Sequence, residues 1–148
     1  MERELIRVRS AKDIFTTLIL IAAGSIMIAL PTSQAVNVAG FFLIFAGLVL
    51  GIILKTGYKD TESGINYYKK ERFFAQNLRD DISRKIQGNL KGINLAEEDK
   101  GNGLRLDIYY SKASGKAFIQ LFEYIPYKYE PCSKMYEHSL TDAADLSR

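Results

Sequence analysis

The chain divides into an uncharged apolar stretch and a longer stretch in which charged and apolar residues are interspersed. Residues 14–54 contain no Lys, Arg, Asp, Glu or His. Two apolar runs within this stretch, residues 14–30 and residues 35–54, are 17 and 20 residues long. As helices rising about 1.5 Å per residue, they would reach roughly 26 and 30 Å, against a bilayer hydrocarbon core of about 30 Å. The pattern therefore predicts a transmembrane hairpin of two helices.

Local signals mark where these helices begin and turn. The connector Pro31–Gln34 predicts a tight hairpin, because Pro31 cannot continue the first helix without the loss of a backbone hydrogen bond. Ser10 is followed three residues later by Asp13, which is a capping-box pattern. We therefore expect the first helix to begin just after Ser10.

A buried hairpin of a soluble protein and a cleaved signal peptide both fit the apolar stretch less well. In a soluble protein, the 94 residues after Leu54 would have to cover both apolar helices on all sides. A cleaved signal peptide would not carry a long N-terminal region of mixed charge, nor a second apolar run close behind the first. Membrane insertion is the prediction that fits the whole pattern.

Positive charge flanks the two apolar runs on the same side. The basic residues closest to the runs are Arg3, Arg7, Arg9 and Lys12 before the first, and Lys55 and Lys59 after the second. Because basic residues favour the cytoplasmic side, both termini are expected in the cytoplasm. The prediction is a multi-pass protein of a bacterial cytoplasmic (inner) membrane, with residues 1–13 as a basic cytosolic segment.

Small residues predict how the two helices pack. Gly40, Gly47 and Gly51 share one face of the second helix, and Ser25 and Ala29 form a weaker pair of small residues on the first. Two arrangements are compatible with this pattern, which are packing within one chain and self-association through Gly47 and Gly51. The spans carry no ionisable side chain, which argues against transport or proton relay by this chain alone.

In a tight antiparallel hairpin, the glycines of the second helix have specific neighbours on the first. Gly51 is expected beside Thr16 and Thr17, at the cytoplasmic end. Gly40 is expected opposite Met27, near the outer end.

The charged stretch predicts a small cytosolic α+β domain over residues 67–138, between a linker at 55–66 and a polar tail at 139–148. Phe74, Leu78, Ile82 and Ile86 recur every four residues, which predicts an amphipathic helix. Aromatic and basic residues near the membrane suggest contact with lipid headgroups, although an ordinary solvated first helical turn accounts for part of this set equally well. The candidate membrane-interface residues are Lys12, Lys55, Tyr67, Tyr68, Lys69 and Lys70.

Alternating residues after Gly103 predict a β-hairpin. Residues 104–110 and 117–125 form the two strands, and a turn centred on Ser114 and Gly115 would pair Ile108 with Leu121. Residues 90–96 are a candidate third strand, and Pro126 and Pro131 limit the segment after the hairpin to an edge strand or an extended arm. The amphipathic helix would cover one face of this two- or three-stranded antiparallel sheet.

The other face of the predicted sheet carries aromatic residues that need a cover. Tyr109, Phe122 and Tyr124 form the candidate partner face, beside Arg105 and Asp107. A partner protein, a second copy of the chain or the N-terminal segment at residues 4–8 could cover it. Partial exposure of the tyrosine rings is the remaining alternative.

The sequence contains none of the common catalytic motifs. The net charge of +3 predicts no nucleic-acid partner, and there is no phosphate-binding loop or metalloprotease motif. The single cysteine, Cys132, and the single histidine, His138, would stand about 20 Å apart along an extended strand. No cofactor, metal site or enzymatic activity is therefore expected.

These patterns lead to one functional expectation and two alternatives. The expectation is a non-enzymatic membrane anchor or accessory protein, whose cytosolic domain binds or regulates a membrane or cytosolic protein. The first alternative is a homo-oligomeric, holin-like or pore-like assembly packed through Gly47 and Gly51. The second is a thiol enzyme or redox sensor that uses Cys132.

Overall fold

Two long apolar helices dominate the unit formed by Arg7–Gly57. In the computed structural model, which describes residues 3–148, helix α1 spans Ala11–Ala29 and helix α2 spans Gln34–Ile53. Both helices are long and apolar enough to cross a membrane. The prediction of two long apolar N-terminal helices is therefore confirmed.

The capping box at the start of α1 is present and extends beyond that helix. The backbone N–H of Asp13 donates to Ser10 Oγ at 3.2 Å, and the backbone N–H of Ser10 donates to the Asp13 carboxylate at 2.9 Å. The same carboxylate accepts hydrogen bonds from the backbone N–H of Thr56 at 2.8 Å and from its hydroxyl at 2.7 Å. Asp13 is only 4% exposed, and it joins the start of α1 to the residues after α2.

Residues 3–6 and Tyr58–Arg148 belong to the second unit, which is built on an antiparallel β-sheet. The strands of the sheet within the described residues are β1 (Leu5–Val8), β2 (Gly57–Asp60), β3 (Asn66–Phe74), β4 (Leu104–Ser111), β5 (Lys116–Ile125), β6 (Lys128–Pro131) and β7 (Tyr136–Ser139). Their spatial order is β1-β2-β3-β4-β5-β6, and β7 pairs with β5. The sheet thus has more strands than the two or three that the sequence predicts.

Strand β3 occupies the region in which the sequence pattern predicts the start of the amphipathic helix. Helix α3 is shorter, Arg79–Gln87, and a 3-10 turn at Gln76–Leu78 precedes it. Tyr67 and Phe74 are both buried but lie on opposite faces of β3, which suits a strand with alternating faces. The four-residue spacing from Phe74 to Ile86 is therefore misleading, because Phe74 reaches the core from a strand and only the residues after it from a helix.

The segment 55–66, expected as a linker, contains β2 and a tight turn. Asp60 is fully buried and organises this turn by accepting hydrogen bonds from the Ser63 hydroxyl at 2.7 Å and the Glu62 backbone at 3.2 Å. Gly64 has a φ of 69°, in the left-handed region that glycine adopts easily. Two of the residues that suggested a linker, Ser63 and Gly64, therefore form this turn.

The β4–β5 register differs from the predicted one by two residues. Ile108 pairs with Ile119, because the turn has four residues between Ser111 and Lys116, with Gly115 at a φ of 66°. An even shift leaves each side chain on its predicted face. The candidate partner face is therefore still a single face of the sheet.

Residues 90–96 do not form a third strand. They make two 3-10 turns, Leu90–Gly92 and Leu95–Glu97, which bury Leu90 and Ile93. The tail at 139–148 is also packed, because Ala143 and Leu146 are buried and helix α4 spans Ala144–Ser147.

These elements cover one face of the sheet, which we call the helix-covered face. Its buried sheet residues are Phe74, Leu104, Leu106, Ile108, Ala117, Ile119 and Leu121. Helix α3 packs on them through Ile82 and Ile86, and α4 through Leu146. The main apolar core of this unit lies between these layers.

Candidate functional site: the aromatic face of the sheet

The opposite side of the sheet, which we call the aromatic face, has no covering helix from its own unit among the described residues. Its defining side chains are Tyr58, Tyr67, Lys69, Phe73, Arg105, Asp107, Tyr109, Phe118, Phe122, Tyr124 and Tyr129. Cationic side chains lie across several of these rings. The face is therefore a polar and aromatic layer in place of a second apolar one.

Arg105 stacks between two rings at one end of the face. Its guanidinium carbon lies 4.6 Å from the centre of the Phe122 ring and 4.9 Å from that of Tyr129. The Tyr129 ring also makes edge contacts with Tyr124 at 5.3 Å and with Phe73 at 6.3 Å. Cation–π contacts of this kind hold the rings together without burying them fully.

Asp107 is the buried charge at the centre of the face. It is 1% exposed, and Arg105 donates two hydrogen bonds to its carboxylate at 2.8 and 3.2 Å. Lys69 Nζ lies 3.0 Å from the same carboxylate and 2.7 Å from Glu71. Two cations thus compensate one buried carboxylate, as a buried charge requires.

Asp107 and the charged side chains around it shift each other's pKa. Burial raises the pKa of Asp107, and the charges of Lys69 and Arg105 oppose that effect. Burial by itself would lower the pKa of Lys69, but the hydrogen bond to Glu71 and the charge of Asp107 outweigh it, so the pKa is raised. The ammonium form of Lys69 is therefore favoured.

The N-terminal residues cover the other end of the face. Arg3 stacks on Phe118, with its guanidinium carbon 4.7 Å from the ring centre, and it contacts the carboxylates of Asp60 at 3.4 Å and Glu137 at 3.2 Å. Leu5 packs against the cluster of Tyr67, Tyr109 and Phe118. Within this unit, the N-terminal segment supplies part of the cover that the aromatic residues need.

The predicted partner residues are not equally accessible. Tyr109 is buried, because Tyr58 packs against its ring at 5.0 Å and Lys69 lies 5.7 Å from the ring centre. Phe122 and Tyr124 are half-buried and lie at the open end of the face. The surface available to a partner is therefore centred on Phe122 and Tyr124.

Tyr109 leads to a prediction about alkaline stability. Burial and then the charge of Asp107 raise the pKa of Tyr109 to about 12, from an ordinary value of 10.0. The folded protein therefore holds this proton more tightly than the unfolded chain. We expect the stabilisation to be complete below about pH 10 and to be lost as the pH rises toward 12, at up to about 1.4 kcal/mol per pH unit.

Substitution of Tyr109 by Phe tests this expectation. The loss of stability above pH 10 should be shallower in Tyr109→Phe, while part of it remains because Lys69 also has a raised pKa. The measurement is the thermal midpoint by circular dichroism in mild detergent, from pH 7 to pH 11.5. The range from pH 7 to 9 is the internal control, where the two curves should run parallel. Identical slopes above pH 10 would contradict the assignment.

The four candidate membrane-interface residues of β3 do not share one face, because Tyr67 and Lys69 alternate with Tyr68 and Lys70 along the strand. Tyr67 is 2% exposed and packs against Phe118, and Lys69 is held by two carboxylates. Tyr68 is 56% exposed, and it lies on the side of β3 opposite to Tyr67. Lys12 and Lys55, in the other unit, are exposed. Tyr67 and Lys69 thus belong to the sheet, because β3 replaces the expected helix.

The candidate packing glycines of α2 all face α1. A Cβ atom at Gly40 would lie 2.7 Å from the Gly24 carbonyl oxygen and 3.1 Å from Met27. At Gly47 it would meet Ile21 at 2.8 Å, and at Gly51 it would meet Thr17 at 3.0 Å. The face considered for self-association is therefore occupied within the chain.

The small residues of α1 are placed differently. Ser25 and Ala29 are exposed, and the Ser25 hydroxyl donates to the Ile21 carbonyl of its own helix at 2.8 Å. The residue that contacts α2 is Gly24, which is buried. Sequence spacing missed Gly24 because it has no small partner four residues away on the same helix.

Cys132 and His138 are held apart by strand pairing. Pro131, directly before Cys132, pairs with Phe122, whereas His138 pairs with Ala117. These positions on β5 are about 16 Å apart at about 3.3 Å per residue. The arrangement does not bring a base to the thiol.

Each of these two residues has another contact. His138 Nε2 lies 2.6 Å from the Ile86 carbonyl oxygen, to which it donates a hydrogen bond. The Cys132 thiol donates to the Leu121 carbonyl at 3.5 Å, and burial raises its pKa, which disfavours the thiolate. No group of three or more His, Cys, Asp or Glu residues in the described part of the chain is arranged to hold a metal ion.

A cleft of about 630 Å³ lies between the turns at 90–95 and the C-terminal residues. Two of its basic side chains are already paired: Lys91 with Asp142 of the lining at 3.6 Å, and Arg72 with Glu98, which is not part of the lining, at 2.9 Å. Arg72 also donates to the Leu146 carbonyl at 3.1 Å, so its guanidinium supports α4. The lining shows no preference for one class of ligand.

The turn between β5 and β6 presents a residue that sequence reasoning missed. Tyr127 is 97% exposed and has a φ of 76°. The signal that could have identified it is the dipeptide Pro126–Tyr127, because proline followed by a residue in the left-handed region is a turn pattern.

Comparisons with protein families, with curated proteins and with solved structures found no match for this chain. A function for it therefore rests on its own geometry.

Proposed function

We propose that this chain is a non-enzymatic membrane-anchored accessory protein. Its two apolar helices anchor it in a bacterial cytoplasmic membrane, and its α+β unit binds or regulates a protein partner in the cytoplasm. The orientation is inferred from the basic residues before α1 and after α2.

The observation that carries the anchor is the exposure of apolar side chains around both helices. Only 11% of the most apolar window of each helix is buried. Phe15, Phe41, Phe42 and Phe45 are each 64–70% exposed, and Ile52 is 71% exposed. Apolar area of this extent on all sides is unfavourable in water and favourable in a hydrocarbon core.

The partner-binding part of the proposal is supported by the open end of the aromatic face. Phe122, Tyr124 and Tyr129 are half-buried there, and Arg105 lies among them. Aromatic residues and arginine are the residue types enriched where protein partners bind. The stacking of Arg105 preorganises these rings, which reduces the entropy lost on binding.

One experiment tests the anchor and the partner face together. A photo-cross-linking amino acid is placed at Tyr124 or, as the control, at Lys112, which is exposed in the β4–β5 turn. We expect a single adduct of defined mass from position 124 and none from position 112. The adduct should stay with membranes washed in alkaline carbonate, because a chain held by two spanning helices is not released by that treatment.

The outcomes separate the two parts of the proposal. Release of the chain by carbonate would contradict the membrane anchor. Retention of the chain, with equal cross-linking from both positions or from neither, would contradict the partner face.

A further inference from the structure

An apolar groove, which we call the helix groove, lies between the start of α1 and the end of α2. Ile14 and Leu18, one turn apart on α1, line one side of it, and Leu50 and Leu54, one turn apart on α2, line the other. Its volume is about 130 Å³. An apolar cavity of about 150 Å³ accepts a benzene-sized molecule, so the helix groove has room for a short length of acyl chain.

The helix groove is closed underneath by residues whose polar groups are already paired. Gly51 has no side chain, and a Cβ atom there would lie 3.0 Å from the Thr17 methyl carbon. The Thr17 hydroxyl donates to the Asp13 carbonyl oxygen at 3.0 Å. Asp13 is 4% exposed, and its carboxylate accepts hydrogen bonds from Ser10 and Thr56. The groove therefore presents mainly hydrocarbon to an occupant.

Arg9 lines the helix groove at the end where α1 begins. The residue is exposed, and within residues 3–148 no hydrogen bond or ion pair holds its side chain. The nearby Asp13 carboxylate is bound by Ser10 and Thr56 instead. The Arg9 guanidinium is therefore available to an anion, and its planar set of donors matches the oxygens of a phosphate group.

The order of charge and hydrocarbon along the helix groove matches that of a phospholipid. Arg9 precedes α1 by two residues, where basic residues flank the apolar runs and lipid headgroups are expected. Ile14 and then Leu18 follow at increasing depth along α1. A lipid with its phosphate at Arg9 would thus direct the upper part of an acyl chain along the groove.

The dimensions of the helix groove favour a lipid over a protein segment. Each side of the groove extends over only about one helical turn, whereas a stable protein interface buries about 800 Å² on each partner. The charge around it favours an anionic lipid over a zwitterionic one, because Lys12 and Lys55 accompany Arg9 at this end of the helices.

We propose that the helix groove binds an anionic phospholipid, with the phosphate on Arg9 and the upper part of one acyl chain between the α1 and α2 sides of the groove. This inference rests on the proposed membrane anchor, to which it adds a binding site and a class of lipid. The bound lipid would contact both helices at the end opposite to their connecting turn.

The absence of tryptophan from the sequence allows a direct test, because a single introduced indole can report on the helix groove. Ile14→Trp places the indole in the lining, and Phe15→Trp places it at the next residue, which is 65% exposed and outside the lining. Both full-length variants are reconstituted in nanodiscs of phosphatidylcholine with a minor fraction of phosphatidylglycerol that is brominated on the upper acyl chain. We expect about threefold more quenching at position 14 than at position 15, since one arginine near the bilayer surface enriches anionic lipid roughly fivefold.

Two further substitutions separate Arg9 from a general attraction by positive charge. Arg9→Gln should abolish the excess quenching at position 14. Lys12→Gln removes the same charge from an exposed residue outside the lining and should leave the excess in place. When the bromine is carried by phosphatidylcholine instead, position 14 should be quenched less than position 15. Circular dichroism of each variant should match that of the unmodified chain, and Leu54→Trp provides a second reporter on the α2 side.

The outcomes distinguish the lipid site from the anchor. Equal quenching at positions 14 and 15 by brominated phosphatidylglycerol would overturn the lipid site while the anchor stands. An excess that survives Arg9→Gln, or that Lys12→Gln removes as well, would overturn the assignment of the phosphate to Arg9. If nanodiscs made wholly of brominated lipid quench neither indole, the proposed anchor itself fails.

Discussion

Substitution of Gly24 by leucine is expected to disrupt the packing of α1 against α2, with a loss of about 3 kcal/mol in the free energy of unfolding, the upper end of the usual cost of overpacking. A Cβ atom at Gly24 would lie 2.5 Å from the Gly40 carbonyl oxygen and 2.8 Å from Ile44. The nearest obstacle is backbone, so it cannot move aside as a flexible side chain would. The two helices would have to separate at this point.

The neighbouring residue provides a matched control. Ser25 is exposed, so Ser25→Leu adds the same side chain one position away without a steric clash and should change stability by less than about 0.5 kcal/mol. The measurement is unfolding by titration of sodium dodecyl sulfate into mild-detergent micelles. Equal effects of the two substitutions would contradict the close contact between Gly24 and Gly40.

Substitution of Asp107 by asparagine is the second large effect that we expect. The carboxylate compensates Lys69 and Arg105 in a site that is 1% exposed. Loss of its charge would leave two half-buried cations facing a neutral amide, and breaking a buried ion pair costs about 3 kcal/mol or more. The aromatic face would lose the charge that holds Arg105 between Phe122 and Tyr129.

Hydrogen exchange of the sheet amides measures this effect without a contribution from the apolar helices. Protection of the β3 and β4 amides should fall roughly 100-fold in Asp107→Asn, which corresponds to about 3 kcal/mol. Glu71→Gln is the control, because Glu71 also pairs with Lys69 but is 40% exposed, and its loss should cost less than about 1 kcal/mol. Similar losses of protection in both variants would show that Asp107 is not the main compensating charge.

The aromatic face shows how a small two-layer unit can be stable without a second apolar layer. Arg3, Lys69 and Arg105 lie on the aromatic rings, and carboxylates hold each of these cations in place. The apolar stems of these arginine and lysine side chains shield the rings from water, while their charged ends remain polar groups on this face of the sheet. The sequence pattern predicted which aromatic residues share this face but not that the neighbouring cations would cover part of it.

Errors in the predicted fold came from residues whose burial depends on distant neighbours. Phe74 fits a helical spacing with Ile82 and Ile86, yet it pairs with Leu104 in the sheet. Leu146 is an isolated apolar residue in a polar tail, and it is buried because α4 packs on the helix-covered face. No short window of sequence contains the partner that decides either case.

The sequence by itself determined the features that depend on local pattern. It determined the two apolar helices, because their apolar residues extend around the whole circumference, and the capping box of Ser10 and Asp13, because its hydrogen bonds span three residues. It also determined which hairpin residues share a face, since strand alternation survives a register shift of two. Only the tertiary structure decided the strand at Asn66–Phe74, the contact of Gly24 with Gly40 and the position of Arg3 on Phe118. Each of these depends on groups far apart in the chain, whose burial and pairing energies exceed the local preferences that a sequence pattern records.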